Sequence, residues 1–364
     1  MKDWLNRCHF GDVRDVLRRM AADGVQVQTC VTSPPYFGLR SYLPDSHPDK
    51  ALEIGAEDTP EAFIAGLVDV FRAVRDVLAD DGTLWLNIGD SYCTRPNGSI
   101  GTSGLQGGLS PHVAVRTAHA RRSGRMHDGY KHKDLMGIPW MLAFALRADG
   151  WYLRQEIIWH KPNPMPESVT DRCTKAHESL FLLAKRADYY CDMDAIREAA
   201  APASIARWAQ NVEAQTGSDR VPGKTNGTMK AVGGARSRRD SMRRDDSKRE
   251  QAIPGQAVGT HRPDRAESEW PLDSRNKRSV WTVATTPYSG AHFATFPTAL
   301  IEPCVLAGAA AGATVLDPFF GSGTTGQVAQ QLGRNFIGID INKANEPLQA
   351  ERLRQPSLIL EHAA

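Results

Sequence analysis

Apolar positions along this chain follow two rhythms that take turns. Val25 to Val31 alternates and is rich in β-branched residues, which predicts a strand running into Thr32-Ser33-Pro34-Pro35-Tyr36. Residues 60–80 carry apolar side chains at helical spacing, with Thr59 as N-cap and Pro60 at the first helical position. Asp81-Gly82 predicts a turn into a buried strand, Thr83 to Ile88. The same helix-then-strand alternation returns with a helix over 138–148 and a strand over 151–159, and a further strand covers 177–183. It returns again near the end, with a helix over 298–308, a strand over 313–316, a glycine turn, a helix over 324–332 and a strand over 335–339 that runs into Asp340. Alternation of this kind is the signature of an α/β sheet.

Two stretches break the rhythm. Residues 94–133 alternate glycine with small polar residues and then become basic at Arg121, Arg122, Arg125, Lys131 and Lys133. Residues 200–280 hold few apolar positions. There, sixteen Lys/Arg stand against ten Asp/Glu, whereas the whole chain of 364 residues carries a net charge of only +2. A basic segment on a mildly acidic body suggests a dedicated polyanion contact. The expected organisation is therefore one large α/β domain in two halves, 1–195 and 286–364, with a basic and partly flexible insert at 196–285.

Other classes fall away. Apolar content is 41%, yet there is no run of about 18 apolar residues, so no membrane span is expected. The N-terminus lacks the apolar core of a secretory signal. Six scattered cysteines form no Cys-x-x-Cys pair, so neither a metal site nor a disulfide scaffold is indicated, and a reducing cytoplasm fits best.

The chemistry concentrates in two motifs. Asp317-Pro318-Phe319-Phe320-Gly321-Ser322-Gly323-Thr324-Thr325 places a carboxylate at a strand end, two glycines able to take positive φ, and a helix start with free N–H groups. Asp340 closes the next strand, where an acid can grip a ribose diol. No lysine follows Gly323, which disfavours a nucleoside triphosphate. A dinucleotide satisfies the glycine string but not its lead-in, and S-adenosylmethionine, with both amine and carboxylate, suits the carboxylate and the helix start together.

Thr32-Ser33-Pro34-Pro35-Tyr36 has a complementary use. The exocyclic amine of cytosine or adenine is a poor nucleophile, because its lone pair is delocalised into the ring. Acceptors placed on its hydrogens help it toward tetrahedral geometry. Ser33 offers a hydroxyl oxygen, Pro34 a carbonyl with no N–H beside it, Pro35 further stiffens the loop, and Tyr36 a face for the base.

Both motifs, in this order, resemble those of the beta class of amino-methylating DNA methyltransferases. The resemblance covers most of 9–195 and 292–342 and leaves out 200–280. It implies a Rossmann-like α/β methyltransferase fold with permuted motif order and an inserted target-recognition region, with S-adenosyl-L-methionine as cofactor. It implies cofactor contacts from Asp317, Phe319, Gly321, Gly323, Thr324 and Asp340, from Phe296-Pro297 upstream, and from Asp12 near the adenine, and it implies catalysis by Ser33, Pro34, Pro35 and Tyr36. Family members with serine at the head of the motif mostly resemble cytosine-N4 enzymes. Ser33 thus tilts the reading toward cytosine, with adenine N6 as the alternative and a non-catalytic DNA-binding relative or a dinucleotide-dependent oxidoreductase further off. Double-stranded DNA is the implied partner, with the target base flipped out and a cognate restriction endonuclease as a possible companion; monomer and homodimer both stay open. Arg236, Arg238, Arg239, Arg243 and Arg244 lie where the family places its target-recognition region. The competing reading leaves them on a flexible insert, with Trp208 or Trp270 reading bases. His160, His177 and the Pro303-Cys304 pair are read as contacts or core rather than as catalysts.

Overall fold

The computed structural model describes residues 2–38, 41–93, 129–208, 274–285 and 296–354, the side chains of 206–208 excepted. The chain divides into two compact units, Met1–Ile196 with Arg278–Ala364, and Arg197–Lys277.

The larger unit is built on an eight-stranded sheet. Its strands are β1 (Arg7–Phe10), β2 (Val27–Thr32), β3 (Leu78–Ile88), β4 (Tyr152–His160), β5 (His177–Ala184), β8 (Val280–Thr282), β9 (Thr314–Asp317) and β10 (Asn335–Asp340). They lie in the order β1-β10-β9-β2-β3-β5-β4-β8. Only β5 runs against its neighbours. Helices α1 (Val13–Ala22), α2 (Pro60–Val77), α3 (Ile138–Ala148), α5 (Thr298–Gly308), α6 (Thr324–Gln331) and α7 (Glu346–Arg354) accompany it.

The pleat of each strand feeds two cores. Leu84, Leu86 and Ile88 of β3 join Phe63, Leu67, Phe71 and Leu142, whereas the intervening Trp85 joins Leu300, Cys304 and Val328. Successive side chains point to opposite faces, so α1, α2 and α3 cover one face and α5 and α6 the other. Each fully buried Leu, Val or Phe contributes about 1.5–3 kcal/mol.

The smaller unit pairs β6 (Glu198–Ala199) with β7 (Ser274–Arg275) in antiparallel fashion and carries α4 (Pro202–Trp208). Arg197 donates to the Ser274 hydroxyl at 2.9 Å and to its carbonyl at 3.0 Å. The start and end of this unit are thereby held together.

Several elements differ from expectation. β3 begins at Leu78, where a turn was expected at Asp81-Gly82. Its pairing with β2 jumps from Val27↔Leu78 to Thr29↔Thr83, so the acidic residues bulge out of the ladder while the strand continues. β1 and α1 were not foreseen. Helix α5, by contrast, covers the expected residues and contains Pro303.

Candidate active site

The two motifs meet because β2 and β9 are neighbours. Thr29 pairs with Val315 and Cys30 with Leu316, so both strands end on the same edge of the sheet. Thr32 closes β2 and Asp317 closes β9. The Thr32 hydroxyl donates to Asp317 Oδ1 at 2.6 Å, across 285 residues of sequence. The Thr325 hydroxyl donates to Oδ2 at 2.7 Å, and the Phe319 amide to Oδ1 at 3.1 Å. Asp317 is therefore buried yet hydrogen-bonded at both oxygens, tying the strand before Ser33 to the start of α6. Burial pushes its carboxyl up to about 6, against the pull of these three donors.

Asp340 sits likewise at the end of β10. It accepts from the Asn342 amide at 2.8 Å, Asn345 Nδ2 at 2.8 Å and Gln349 Nε2 at 3.2 Å. Burial raises it to about 6 as well.

One pocket joins these groups. Its wall includes Asp12, Ser33, Pro35, Phe296, Asp317, Phe319, Gly321, Thr324 and Asp340. Gly321 and Gly323 take φ of 52° and 87°, the left-handed region where a Cβ is strained. Phe320 turns inward, stacked on Phe336 at 5.4 Å, and a side chain on Gly338 would strike it at 2.4 Å. Pro34, Tyr36, Pro297 and Gly323, expected at the site, are not part of this wall; Pro297 is the N-cap of α5 and Gly323 the N-cap of α6. Asp12 caps α1 through the Arg14 amide at 2.9 Å and also binds the Arg14 guanidinium at 2.6 Å. Burial works against its charge, but Arg14 outweighs that and holds the carboxyl below its ordinary value.

The Ser322 hydroxyl is buried on the pocket wall without a hydrogen-bond partner among the described residues. An orphaned polar atom here is expected to be completed by a ligand. The two carboxylates and the uncapped N–H groups at the start of α6 suit a ligand that carries cationic, anionic and hydroxyl groups together. The residues present thus fit S-adenosylmethionine.

Tyr36 lies deeper. Its hydroxyl approaches Glu178 Oε2 at 2.8 Å and Asn87 Oδ1 at 3.2 Å. Gly89 makes room for its ring, since a Cβ there would lie 2.5 Å from Tyr36 Cε2. Burial first, and then the Glu178 charge, push the phenol well above its ordinary value, while the nearby Ser33 acts the other way.

Sequence reasoning missed several residues. Tyr42 and Glu53 add to the pocket wall from the segment after the Pro-Pro pair, and Asn345 from the turn after β10. Nothing in their spacing marks them. Arg121, Arg122, Arg125, Arg236, Arg238, Arg239, Arg243, Arg244 and Trp270 lie outside the described residues, as does the Trp208 side chain.

A sequence profile described as DNA methylase matches residues 27–351. The chain belongs to this DNA methylase family. Type II methyltransferase M.Cfr9I of Citrobacter freundii is 39% identical over 344 residues, covering 94% of this chain and 86% of the relative. Type II methyltransferase M.SmaI of Serratia marcescens is 39% identical over 350 residues, covering 94% and 89%. Among solved structures, the PvuII DNA methyltransferase (cytosine-N4-specific) aligns with a TM-score of 0.52 at 13% identity, over 96% of this chain and 87% of that one. At that identity the likeness speaks for the fold. The protein is a DNA methyltransferase of the N4/N6 family, S-adenosylmethionine is its methyl donor, and DNA is its substrate. Among the described residues no helix is long and apolar enough to cross a membrane, and no cluster of metal-binding side chains occurs.

Proposed function

We propose that this protein is a Type II, site-specific methyltransferase that methylates the exocyclic N4 of cytosine in double-stranded DNA, on a base flipped from the helix. The observation that carries the reading is that Ser33 shares one pocket with Asp317 and the glycine turn. A group accepting from the base amine thus stands beside the place where a methyl donor fits.

Bound S-adenosylmethionine supplies an electrophilic methyl group. The chain does the rest. Asp340 would accept from the ribose hydroxyls, the Ser322 hydroxyl would complete its hydrogen bonding on the cofactor, and Asp317 would face the cofactor's amine. Ser33 and the Pro34 carbonyl would accept hydrogen bonds from the amine, favouring the tetrahedral nitrogen that forms as its lone pair takes the methyl group; the sulfur–methyl bond breaks, the neutral thioether leaves, and one amine proton is released to water. Tyr36 provides a rigid aromatic wall. A stacked base cannot reach this depth, so flipping precedes transfer.

Serine rather than aspartate at position 33 supports cytosine. N6 of adenine is the second reading, because the same two acceptors suit either amine. The Type II reading includes a cognate restriction endonuclease as companion. Methylation-aware sequencing of DNA from cells expressing the protein tests the proposal: modified cytosine at one short recurring sequence is expected. Modified adenine at such a sequence would overturn the cytosine assignment, and unmodified DNA would overturn the whole reading.

A further inference from the structure

Helix α7 buries a polar side chain where packing alone asks for an apolar one. Of its nine residues only Gln349 is fully buried, at 3% exposure. A buried side-chain amide is costly unless it is hydrogen-bonded. The Gln349 Nε2 group meets that need on two separate elements of the cofactor pocket. It donates to the Gly321 carbonyl in the glycine turn at 2.8 Å and to Asp340 Oδ2 at the end of β10 at 3.2 Å. Both partners are acceptors, a peptide carbonyl and a carboxylate, so the two amide hydrogens must face them. The backbone of α7 lies close by as well: a Cβ on Gly323, the N-cap of α6, would sit 3.7 Å from Gln349 Cα. One turn further along α7, Arg352 donates to the Thr324 hydroxyl. The helix thus reaches three pocket positions, Gly321, Thr324 and Asp340, while standing outside the pocket wall itself.

We propose that Gln349 is a positioning residue for cofactor binding, which locks the Asp340 carboxylate to the glycine turn so that the acid meets the ribose hydroxyls of S-adenosylmethionine in one fixed orientation. The proposal rests on the reading of Asp340 as the ribose acid. Asp340 also accepts from the Asn342 amide and from Asn345 Nδ2, but both donors belong to the turn that follows it and move with the end of β10. Gln349 binds the carboxylate and the neighbouring glycine turn at once. Gly321 stands in the left-handed region at φ 52°, so the direction of its carbonyl is set by the turn, and Gln349 refers the carboxylate to that direction. The terminal torsion of an aspartate is soft and roughly two-fold. A diol, by contrast, donates along defined directions and needs acceptors that stay in place. An apolar residue of similar size at 349 would fill the space, but it would leave both acceptors a donor short and the carboxylate freer to rotate. This double bond, rather than packing, accounts for a glutamine at the one fully buried position of α7.

The probes are S-adenosylhomocysteine, which keeps the nucleoside of the methyl donor, and its 2′,3′-dideoxy analogue, which lacks both ribose hydroxyls. Calorimetry on the full chain measures the affinity of each, with thermal unfolding recorded for every variant. Gln349→Leu is expected to weaken S-adenosylhomocysteine by about tenfold, while it binds the dideoxy analogue within about twofold of the wild type. Gln349→Met, also apolar but unbranched, is expected to behave alike, and it carries the test should the leucine variant fail to fold. Gln349→Leu combined with Asp340→Asn is expected to bind S-adenosylhomocysteine within about twofold of Asp340→Asn alone, because Gln349 acts through Asp340. Wild-type affinity for S-adenosylhomocysteine in the Gln349 variants would overturn the proposal. Equal weakening of both ligands would overturn it too, since that marks general support of the pocket rather than placement of the ribose acid. Asp340→Asn alone separates the two failures. If it weakens S-adenosylhomocysteine while the Gln349 variants bind like the wild type, the ribose site stands and the positioning role falls; if it changes nothing, the ribose reading falls and the positioning role with it.

Discussion

The Thr32–Asp317 hydrogen bond ties together the ends of the paired strands β2 and β9, where the two motifs meet. Thr32→Val keeps the shape of the side chain and removes the donor. The expected cost is about 1–3 kcal/mol of stability, since a buried carboxylate loses a partner, and thermal or denaturant unfolding measures it. The carboxyls of Asp317 and Asp340, both raised to about 6, also set a pH dependence. S-adenosylmethionine carries cationic groups, so the ionised carboxylates favour it. Its affinity is expected to be level above pH ~7 and to weaken as pH falls through about 6, with a midpoint displaced downward once the ligand is bound. Thr32→Val should move that weakening to higher pH, because Asp317 loses a donor that favours its charge. Stability of the ligand-free protein runs the other way: a folded carboxyl above its unfolded value binds the extra proton, so the contribution of these two groups is lost as pH rises through about 6. Calorimetric titration from pH 5 to 8 checks the binding half, and a constant affinity across that range would remove the two aspartates from the cofactor site.

At the scale of elements, the Ser-Pro-Pro-Tyr loop works only because a neighbouring strand end lacks a side chain. Gly89→Ala would place a Cβ 2.5 Å from Tyr36 Cε2 and 2.9 Å from Cδ2, and the ring would have to move. Slower single-turnover methylation is expected, with a stability loss of about 1–3 kcal/mol from overpacking; an unchanged rate would show that Tyr36 need not be held. Much of this architecture was legible in the chain. Helix α3 was expected over the residues it occupies, and the strand, glycine turn and helix around Asp317 stand where the pattern put them. The permuted order was legible too, since pocket lip and cofactor turn came in reverse of the usual sequence, and the β2–β9 pairing realises it. Helix α1 had a readable signal, Val13, Val16, Leu17 and Met20 on one buried face behind the Asp12 cap, which a reading of Gly11-Asp12 as a ligand motif alone passes over. β1 had almost none: four mixed residues become a strand by pairing with β10, from the far end of the chain. The Tyr36–Glu178 contact left no signal, because the two residues lie 142 positions apart, a distance that no local pattern spans.

Across the whole molecule, the first and last parts of the chain form one sheet, and the pocket is complete only when both are present. Ser33 belongs to the first part, and Asp317, Gly321 and Asp340 to the last. The central claim is that these groups together methylate the N4 amine of cytosine, with Ser33 accepting from it. The most direct measurement is mass spectrometry of nucleosides from DNA incubated with S-adenosylmethionine and either the wild-type protein or Ser33→Ala, with DNA affinity measured in parallel. The account predicts N4-methylcytosine from the wild type. It predicts a loss of at least about a hundredfold for Ser33→Ala at nearly unchanged DNA affinity, in line with removal of a transition-state acceptor. N6-methyladenine in place of N4-methylcytosine, or a Ser33→Ala variant that methylates at the wild-type rate, would contradict it.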